Sequence, residues 1–362
     1  MKNARKKIMI MAGGTGGHVF PGIAIGHALQ AEGVEVIWLG TQGGLEQGWV
    51  SQANIPLFNI AIRGLRGNGL LGWLAAPFRI LRAWWQARKI MQQHRPDLVL
   101  GMGGFVCGPG GLAAKSLGVP LVIHEQNAIP GLTNKRLAPW AVNIITAFEQ
   151  KVWTGQKVLL LGNPVRAGFE QIPVLHSQKP LHILVVGGSR GALALNDTVP
   201  KALALLPAEI RPTVTHQTGA ALLAQTQQAY ADASVDAEVV TFIDDMVSAY
   251  EAADLVVCRS GALTVSELMA AARPALMVPY PHAVDDHQTA NAQALVGLNG
   301  GEVISQAVMT PELLAEKLML WLDVEKLNAA SKSIREQTPQ QATQKITQLL
   351  LNQLSENSVK PC

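Results

Sequence analysis

The sequence predicts an α/β protein of two doubly wound, parallel-sheet domains facing across a cleft. Three observations lead there. Short, continuously apolar runs alternate with longer amphipathic stretches, the pattern of strands buried on both faces and joined by crossover helices. That grammar begins at Ile8 and begins again at Leu181. The two beginnings also share a form: Ile8-Met9-Ile10-Met11-Ala12-Gly13-Gly14-Thr15-Gly16-Gly17 and Ile183-Leu184-Val185-Val186-Gly187-Gly188-Ser189-Arg190-Gly191-Ala192 each read as strand, glycine-rich turn with a hydroxyl, then helix. Both domains are therefore Rossmann-like, and ligands are expected at the carboxyl ends of both sheets.

In chain order, Ile8–Ala12, Val34–Leu39, Leu98–Leu100 and Leu121–Ile123 read as buried strands, each closed by Gly, His or a polar turn. Gly22–Glu32, Leu74–Gln93 and Gly110–Leu117 read as helices between them. From Gly162 to Pro180 the prolines at 164, 173 and 180 mark a linker. Strands resume at Leu181–Val186, Thr213–His216, Val239–Phe242, Leu255–Cys258 and Ala275–Val278. Ala342–Leu354 carries apolar residues at helical spacing, and a frayed polar end is expected from Ser355. The expected division is residues 1–163, 164–340 and a terminal segment 341–362.

With 362 residues, 48% apolar and 15% charged, the chain can bury large cores and is not globally disordered. Its net charge of +3 hides an asymmetry. Through Arg166 there are 17 Lys/Arg against 6 Asp/Glu, a balance of +11; the remainder holds 12 against 20, or −8. The first half should be drawn to an anionic partner. Three widely spaced cysteines, Cys107, Cys258 and Cys362, argue against a disulfide framework or a zinc site and fit a reducing compartment. The basic start is followed by an apolar run that ends at Gly13, too short for a signal sequence, and no segment reaches the ~20 apolar residues of a membrane span.

Three glycine-rich segments close predicted strands: Gly13–Gly17, Gly101–Gly111 and Gly187–Gly191. Glycines let main-chain N–H groups approach an anion, and a following helix offers its positive end. A nicotinamide dehydrogenase would want a carboxylate at the end of the second strand, to hold a ribose. That strand ends Trp38-Leu39-Gly40-Thr41, with no carboxylate there and no Walker lysine in the loop. Phosphate or sugar binding is the better reading. His18, at the mouth of the first helix, suits a general base at neutral pH or a phosphate contact equally well.

Arg259-Ser260-Gly261 reads as a helix start, with N–H groups of Ala262, Leu263 and Thr264 placed for a diphosphate. Glu267, about one and a half turns on, could reach ribose hydroxyls. The loop from Pro279 through Gln288 to Asn291 is rich in groups that bind sugar hydroxyls. No Asp-any-Asp triplet exists, so a metal-dependent diphosphate grip is not expected; the pairs Asp244-Asp245 and Asp285-Asp286 read as helix caps.

Residues 63–89 mix Trp73, Leu74, Phe78, Leu81, Trp84 and Trp85 with Arg63, Arg66, Arg79, Arg82, Arg88 and Lys89, and contain no acid. Such a segment suits an interfacial helix on anionic lipid, the apolar load being too heavy for a nucleic-acid surface.

Several motifs, in order, resemble the MurG family of glycosyltransferases: Gly13–Gly22 (GGTGGHVFPG), Gly101–Gly111, His124-Glu125-Gln126-Asn127, Gly162–Arg166 (GNPVR), Val185–Gly191, Phe242–Met246 (FIDDM), Cys258–Glu267 and His282–Asn291. The resemblance implies a glycosyltransferase-B fold and transfer of N-acetylglucosamine from UDP-GlcNAc to the 4-hydroxyl of a lipid-linked MurNAc-pentapeptide (lipid I), with inversion and no cofactor. It implies a carboxyl-terminal domain that holds UDP-GlcNAc and an amino-terminal domain that faces the acceptor and the membrane. The tail helix would cross back to the first domain. It also implies a peripheral protein at the cytoplasmic face of the inner membrane, with other cell-wall synthesis proteins as partners and no nucleic acid. By likeness, Ile243 lies beside uracil, Glu267 at the ribose, and Ser189 with the amides of Ala262, Leu263 and Thr264 near the diphosphate; Val265 and Ser266 are expected among the substrate-binding residues. Gln288 and Asn127 lie near the GlcNAc, and Arg166 on the donor side. Thr15, Gly16, Gly17 and His18 face the acceptor. His18 is the first candidate base and Glu125 the second. Phe105 and Cys107 depart from the family's usual Tyr and Ser. The alternatives are another two-domain UDP-GlcNAc enzyme, such as a 2-epimerase or a soluble-acceptor glycosyltransferase, and a non-catalytic nucleotide-sugar-binding scaffold at the membrane.

Overall fold

The computed structural model describes residues 5–62, 69–188 and 191–356, with side chains omitted for 69–75 and 284. The chain divides into two compact units, Met1–Arg166 with Gln341–Cys362, and Ala167–Gln340.

The first unit runs β1 (Lys7–Ala12), α1 (Gly16–Ala31), β2 (Glu35–Thr41), α2 (Glu46–Gln52), β3 (Leu57–Ile60), α3 (Gly69–His94), β4 (Leu98–Gly103), α4 (Cys107–Leu117), β5 (Leu121–Glu125), α5 (Leu132–Leu137), β6 (Asn143–Thr146) and β7 (Val158–Leu160). Its seven strands are parallel, in the order β3-β2-β1-β4-β5-β6-β7. The apolar β1 run is buried on both faces. Ile8, Ile10 and Ala12 join a core with Ile25 and Leu29 of α1, while Met9 and Met11 join one with Ala83, Ala87 and Met91 of α3. Strand order reverses between β1 and β4, so the loops that leave these two strands open beside each other.

The second unit runs β8 (His182–Val186), α6 (Leu193–Ala204), β9 (Thr213–Gln217), α7 (Leu223–Asp232), β10 (Glu238–Val240), α8 (Met246–Ala252), β11 (Leu255–Cys258), α9 (Ala262–Ala271), β12 (Ala275–Met277), α10 (His287–Val296), β13 (Gly301–Val303), α11 (Pro311–Trp321) and α12 (Val324–Gln337). The parallel sheet is ordered β10-β9-β8-β11-β12-β13 and switches between β8 and β11. The chain then returns to the first unit as α13 (Ala342–Glu356), whose Ile346, Leu350 and Leu354 enter the α1 core. Residues 357–362, within the expected frayed end, lie outside the described residues.

Several boundaries differ from expectation; α3, for one, begins at Gly69 rather than Leu74. α1 begins at Gly16 rather than Gly22, because the last glycines of the loop are already helical and Pro21 is accommodated with loss of one helical hydrogen bond. α4 begins at Cys107 rather than Gly110; Pro109 falls in its first turn, where a missing N–H is harmless. The strand expected to reach Phe242 ends at Val240, and Phe242 is exposed.

The stretch read as a linker, 162–180, is bound into the second unit from Phe169 onward. Phe169, Ile172 and Leu175 are buried. The buried Arg273 donates through Nε to Tyr250 O (2.8 Å), through Nη1 to Pro173 O and Ala271 O (both 2.9 Å), and through Nη2 to Glu251 O (3.1 Å). Burial drags its guanidinium pKa down to about 10, and it remains charged. Arg335 donates to the carbonyls of Glu170 and Ile172. Ser331 accepts from Leu175 N and donates to Ala272 O. Arg273→Met should strand four carbonyls and lower the stability of this unit by about 3–5 kcal/mol, measured by urea denaturation.

Candidate functional site

In the second unit, three segments lie at or beside the β8/β11 switch point. The glycine turn after β8 is shaped by backbone contact: a Cβ on Gly191 (φ +75°) would lie 1.8 Å from Thr218 O, and one on Gly187 would lie 2.6 Å from Ala192 N. Ser189 and Arg190 lie outside the described residues. After β11, Gly261 occupies the N-cap of α9 and no side chain caps the helix. Val265 N bonds back to Gly261 O at 2.9 Å. The amides of Ala262, Leu263 and Thr264 precede this first helical bond and have no acceptor within the helix. An anion there would meet N–H groups and the positive end of the helix.

Side chains fix the surroundings. Buried Asn291 donates to Ser260 O (3.3 Å). Arg259 donates to Val278 O (3.0 Å), Pro279 O (3.2 Å) and Gln306 Oε1 (2.6 Å), so it shapes the loop after β12 rather than reaching outward. Gln288 accepts from Tyr280 N (2.9 Å) with its amide oxygen. Glu267 is buried on α9. Val265 is wholly in the interior, and the Ser266 hydroxyl turns back to donate to Ala262 O (2.8 Å). Ile243 is half-buried in the loop before α8. There Asp245 caps the helix by accepting from Ser248 N (3.0 Å).

In the first unit, the glycine turn after β1 carries Thr15, Gly16, Gly17 and His18. Thr15 is the N-cap of α1, yet its hydroxyl caps nothing; Oγ1 lies 3.3 Å from His18 Nδ1. Gly103, at the end of β4, packs beneath the imidazole so closely that a Cβ there would fall 2.7 Å from His18 Cδ2. Gly104 packs on the Gly13 carbonyl, where a Cβ would fall 2.3 Å from the oxygen. Cys107 Sγ lies 3.2 Å from Met11 O and 3.1 Å from Gly103 O, and accepts from Gly103 N at 3.2 Å. Burial pushes this thiol up to about 12, so it stays protonated and joins β1 to β4 as a donor. Phe105 is exposed.

The expectation that no carboxylate sits at the end of β2 is corrected by the structure. Glu46, five residues beyond Thr41, folds back from the start of α2 and is 0% exposed. Its Oε1 accepts from Thr41 N (2.7 Å) and Thr41 Oγ1 (2.5 Å), and its Oε2 from Gly14 N (3.2 Å). These oxygens are engaged by the protein's own loop, not presented to a ribose.

Glu125, the second candidate base, is also buried and occupied. Oε1 accepts from Asn127 N (3.0 Å) and Nδ2 (3.3 Å), and Oε2 from Gly131 N (3.1 Å) and Asn134 Nδ2 (2.8 Å). That geometry makes it the anchor of the loop bearing Asn127. His124, beside it, donates from Nε2 to Gly162 O (3.1 Å) and accepts from Gln126 Nε2 at Nδ1 (2.9 Å). Arg166 is exposed and is the last residue of the unit's first segment. On α3, Phe78 (76% exposed), Leu81 (59%) and Trp85 (58%) share one face at i, i+3, i+7 spacing. Arg82 is exposed beside them, and Lys89 Nζ lies 5.6 Å from the Trp85 ring. The side chains of Trp73 and Leu74 lie outside the described residues. No helix among the described residues is long and apolar enough to cross a membrane.

Sequence reasoning missed Glu46, the thiol link of Cys107 and the loop-shaping role of Arg259. For Glu46 a signal existed. It is a solitary acid next to Gly43-Gly44 in a half with only 6 acids, where an unpaired surface carboxylate has little reason to persist.

Two doubly wound units with glycine turns at their switch points are the architecture of glycosyltransferase-B enzymes. The N-terminal domain of glycosyltransferase family 28 matches residues 8–146 and its C-terminal domain residues 182–350; the chain belongs to this family. It is 64% identical over 354 residues to the UDP-N-acetylglucosamine--N-acetylmuramyl-(pentapeptide) pyrophosphoryl-undecaprenol N-acetylglucosamine transferase of Hydrogenovibrio crunogenus, covering 98% of this chain and 99% of that one. It is 51% identical over 318 residues to the transferase of the same name from Neisseria gonorrhoeae, covering 86% of this chain and 89% of that one. Among solved structures, Acinetobacter baumannii MurG superposes with a TM-score of 0.84 at 42% identity, covering 96% of this chain and 99% of that one.

Burial lowers the His124 pKa to about 4, so the folded ring is neutral at pH 5–7. The unfolded ring takes up a proton below about 6.5. The folded state thus binds fewer protons, and stability from this group is complete above pH ~6.5 and is lost as pH falls toward 4, by roughly 3 kcal/mol. His216, hydrogen-bonded to Tyr230 Oη and Asn196 Oδ1 and lowered to about 3 by burial, adds the same sign in the second unit. Denaturation free energies measured from pH 7 to 4.5 should fall steadily; a flat profile would contradict the neutral assignment.

Proposed function

We propose that this chain transfers N-acetylglucosamine from UDP-GlcNAc to the 4-hydroxyl of undecaprenyl-diphosphate-linked MurNAc-pentapeptide, converting lipid I to lipid II in peptidoglycan synthesis. The observation that carries the reading is the 64% identity to a transferase of that name over nearly the whole of both chains.

The chemistry we infer is a single displacement. The acceptor O4 attacks the anomeric carbon in line, the C1–O bond to the diphosphate breaks, and the configuration inverts. UDP leaves with charge developing on its β-phosphate, and the α9 amides at 262–264 with the helix dipole stabilise that charge. Gly261 serves here because a side-chain cap would compete with the ligand for those N–H groups. Glu267 holds the ribose, the Ile243 main chain lies by uracil, and Gln288 and Asn127 meet the GlcNAc hydroxyls. Ser189 and Arg166 complete the donor contacts. His18 takes the O4 proton. In the tautomer that donates Nδ1–H to Thr15 Oγ1, the accepting lone pair is on Nε2. Thr15, Gly16 and Gly17 shape the acceptor side.

The acceptor is lipid-anchored, so the enzyme works as a peripheral protein at the cytoplasmic face of the inner membrane. The exposed Phe78, Leu81 and Trp85 enter the acyl boundary, while Arg82 and its basic neighbours meet anionic headgroups.

Labelled UDP-GlcNAc with a lipid I analogue should yield UDP and a β-linked disaccharide product, and neither would form if the reading is wrong. His18→Ala should lower kcat by about 10²–10⁴-fold with UDP affinity unchanged; near-normal kcat would remove His18 from the role. Replacing Phe78, Leu81 and Trp85 together by Ser should reduce sedimentation with anionic liposomes by more than about 100-fold in affinity, since each apolar side chain contributes roughly 1.5–3 kcal/mol on burial. Unchanged sedimentation would refute the lipid face.

A further inference from the structure

Glu46 is a wholly buried carboxylate held by N–H groups and a hydroxyl rather than by a lysine or arginine. Its place in the fold is specific. One oxygen ends β2 by taking both donors of Thr41, and the other takes Gly14 N in the turn between β1 and α1. Three glycines make room for it. A Cβ on Gly44 would lie 2.2 Å from Oε2, one on Gly13 3.0 Å from Oε1, and one on Gly40 3.3 Å from Cγ.

From this clamp a continuous set of contacts leads to the imidazole. Gly13, between the clamp and Thr15, presents its carbonyl to Gly104 with no room for a Cβ. Gly104 follows Gly103, which lies directly against the His18 ring. Cys107 Sγ ties Gly103 to Met11 O, just before the turn. Thr15, one residue beyond Gly14, sets its hydroxyl 3.3 Å from His18 Nδ1. The turn that carries Thr15 and His18 is thus gripped on one side by Glu46 and bedded on the other by the β4 glycines.

We propose that Glu46 is a positioning residue for transfer, its ionised carboxylate fixing the Gly13–Gly14 turn and through it the placement of Thr15 and His18. The proposal rests on the reading of His18 as the base. A carboxylate suits the task because it offers lone pairs to three donors that converge from two segments, whereas a carboxamide would set an NH2 against one of them. Burial alone would raise its pKa, but the hydrogen bonds from Thr41 and Gly14 and at its own main chain outweigh burial and hold it below the ordinary carboxylate range. The acid therefore stays ionised at neutral pH.

The test is a double-mutant cycle of Glu46→Gln with His18→Ala, assayed in single turnover with enzyme in excess over a lipid I analogue and UDP-GlcNAc varied. Turnover by the unaltered protein checks the transfer activity, and the loss in H18A alone checks the reading of His18 as the base, so failure of either is separate from failure of the proposal. E46Q should lower the transfer rate about 10- to 100-fold, as a displacement of the base by under an ångström does. The KM for UDP-GlcNAc should stay within two-fold, and E46Q should lower the H18A rate by less than two-fold. An equal loss in both backgrounds, a matching rise in KM for UDP-GlcNAc, or a rate within two-fold of the unaltered protein would overturn the proposal. Should E46Q fail to fold, Thr41→Val removes one of the three donors, and the same criteria apply to its smaller loss of about three-fold.

Discussion

A parallel sheet ends in loops whose main-chain N–H groups have lost their strand partners, and each must find another acceptor. The two units answer that constraint in opposite ways, the first after β1 and the second after β11, each a strand at its sheet's switch point. In the first, a buried carboxylate meets both the end of β2 and the turn amide of Gly14, one residue before Thr15. In the second, no side chain caps α9, and its leading amides have no acceptor within the helix. One unit closes its turn with Glu46; the other leaves its helix start uncapped.

Other buried polar groups serve the same end. Glu125 gathers donors from Asn127, Gly131 and Asn134, and His124 reaches Gly162 O, so the loop after β5 is defined by hydrogen bonds rather than by apolar packing. Arg259 and Gln288 shape the loop after β12. These residues look reactive by type. Their neighbours assign several of them to holding backbone instead, because an unmet buried donor or acceptor costs about 1–3 kcal/mol and a loop has no ladder to satisfy it.

Much of the fold was legible because its cause is local. Continuous apolar runs such as Ile8–Ala12, too short for a buried helix and closed by glycine, read as strands buried on both faces, and their recurrence from Leu181 marks a second sheet. The glycine turns were legible because positive φ and close approach leave few other residue choices. Helix starts were less so. Gly16 and Cys107 begin helices upstream of prolines that look like boundaries in isolation, and only packing decides that a helix tolerates Pro21. At the site, the helix start that leaves the amides of 262–264 without an acceptor in the helix was readable from Ser260-Gly261, while the burial of α9 from Val265 onward was decided by packing.

By itself the sequence determined the class of fold, the two strand–glycine–helix junctions, the concentration of basic and aromatic residues in one half, and a set of motifs carrying family membership. All of these follow from local periodicity, composition or spacing along the chain. Only the tertiary structure decided which polar side chains meet: that Glu46 comes back from α2 to close the end of β2, that Glu125 is spent on its own loop, and that Gly103 lies under His18 although 85 residues separate them. The physical reason is that a buried charge is defined by the donors that surround it, and those donors arrive from strands adjacent in space but distant in sequence.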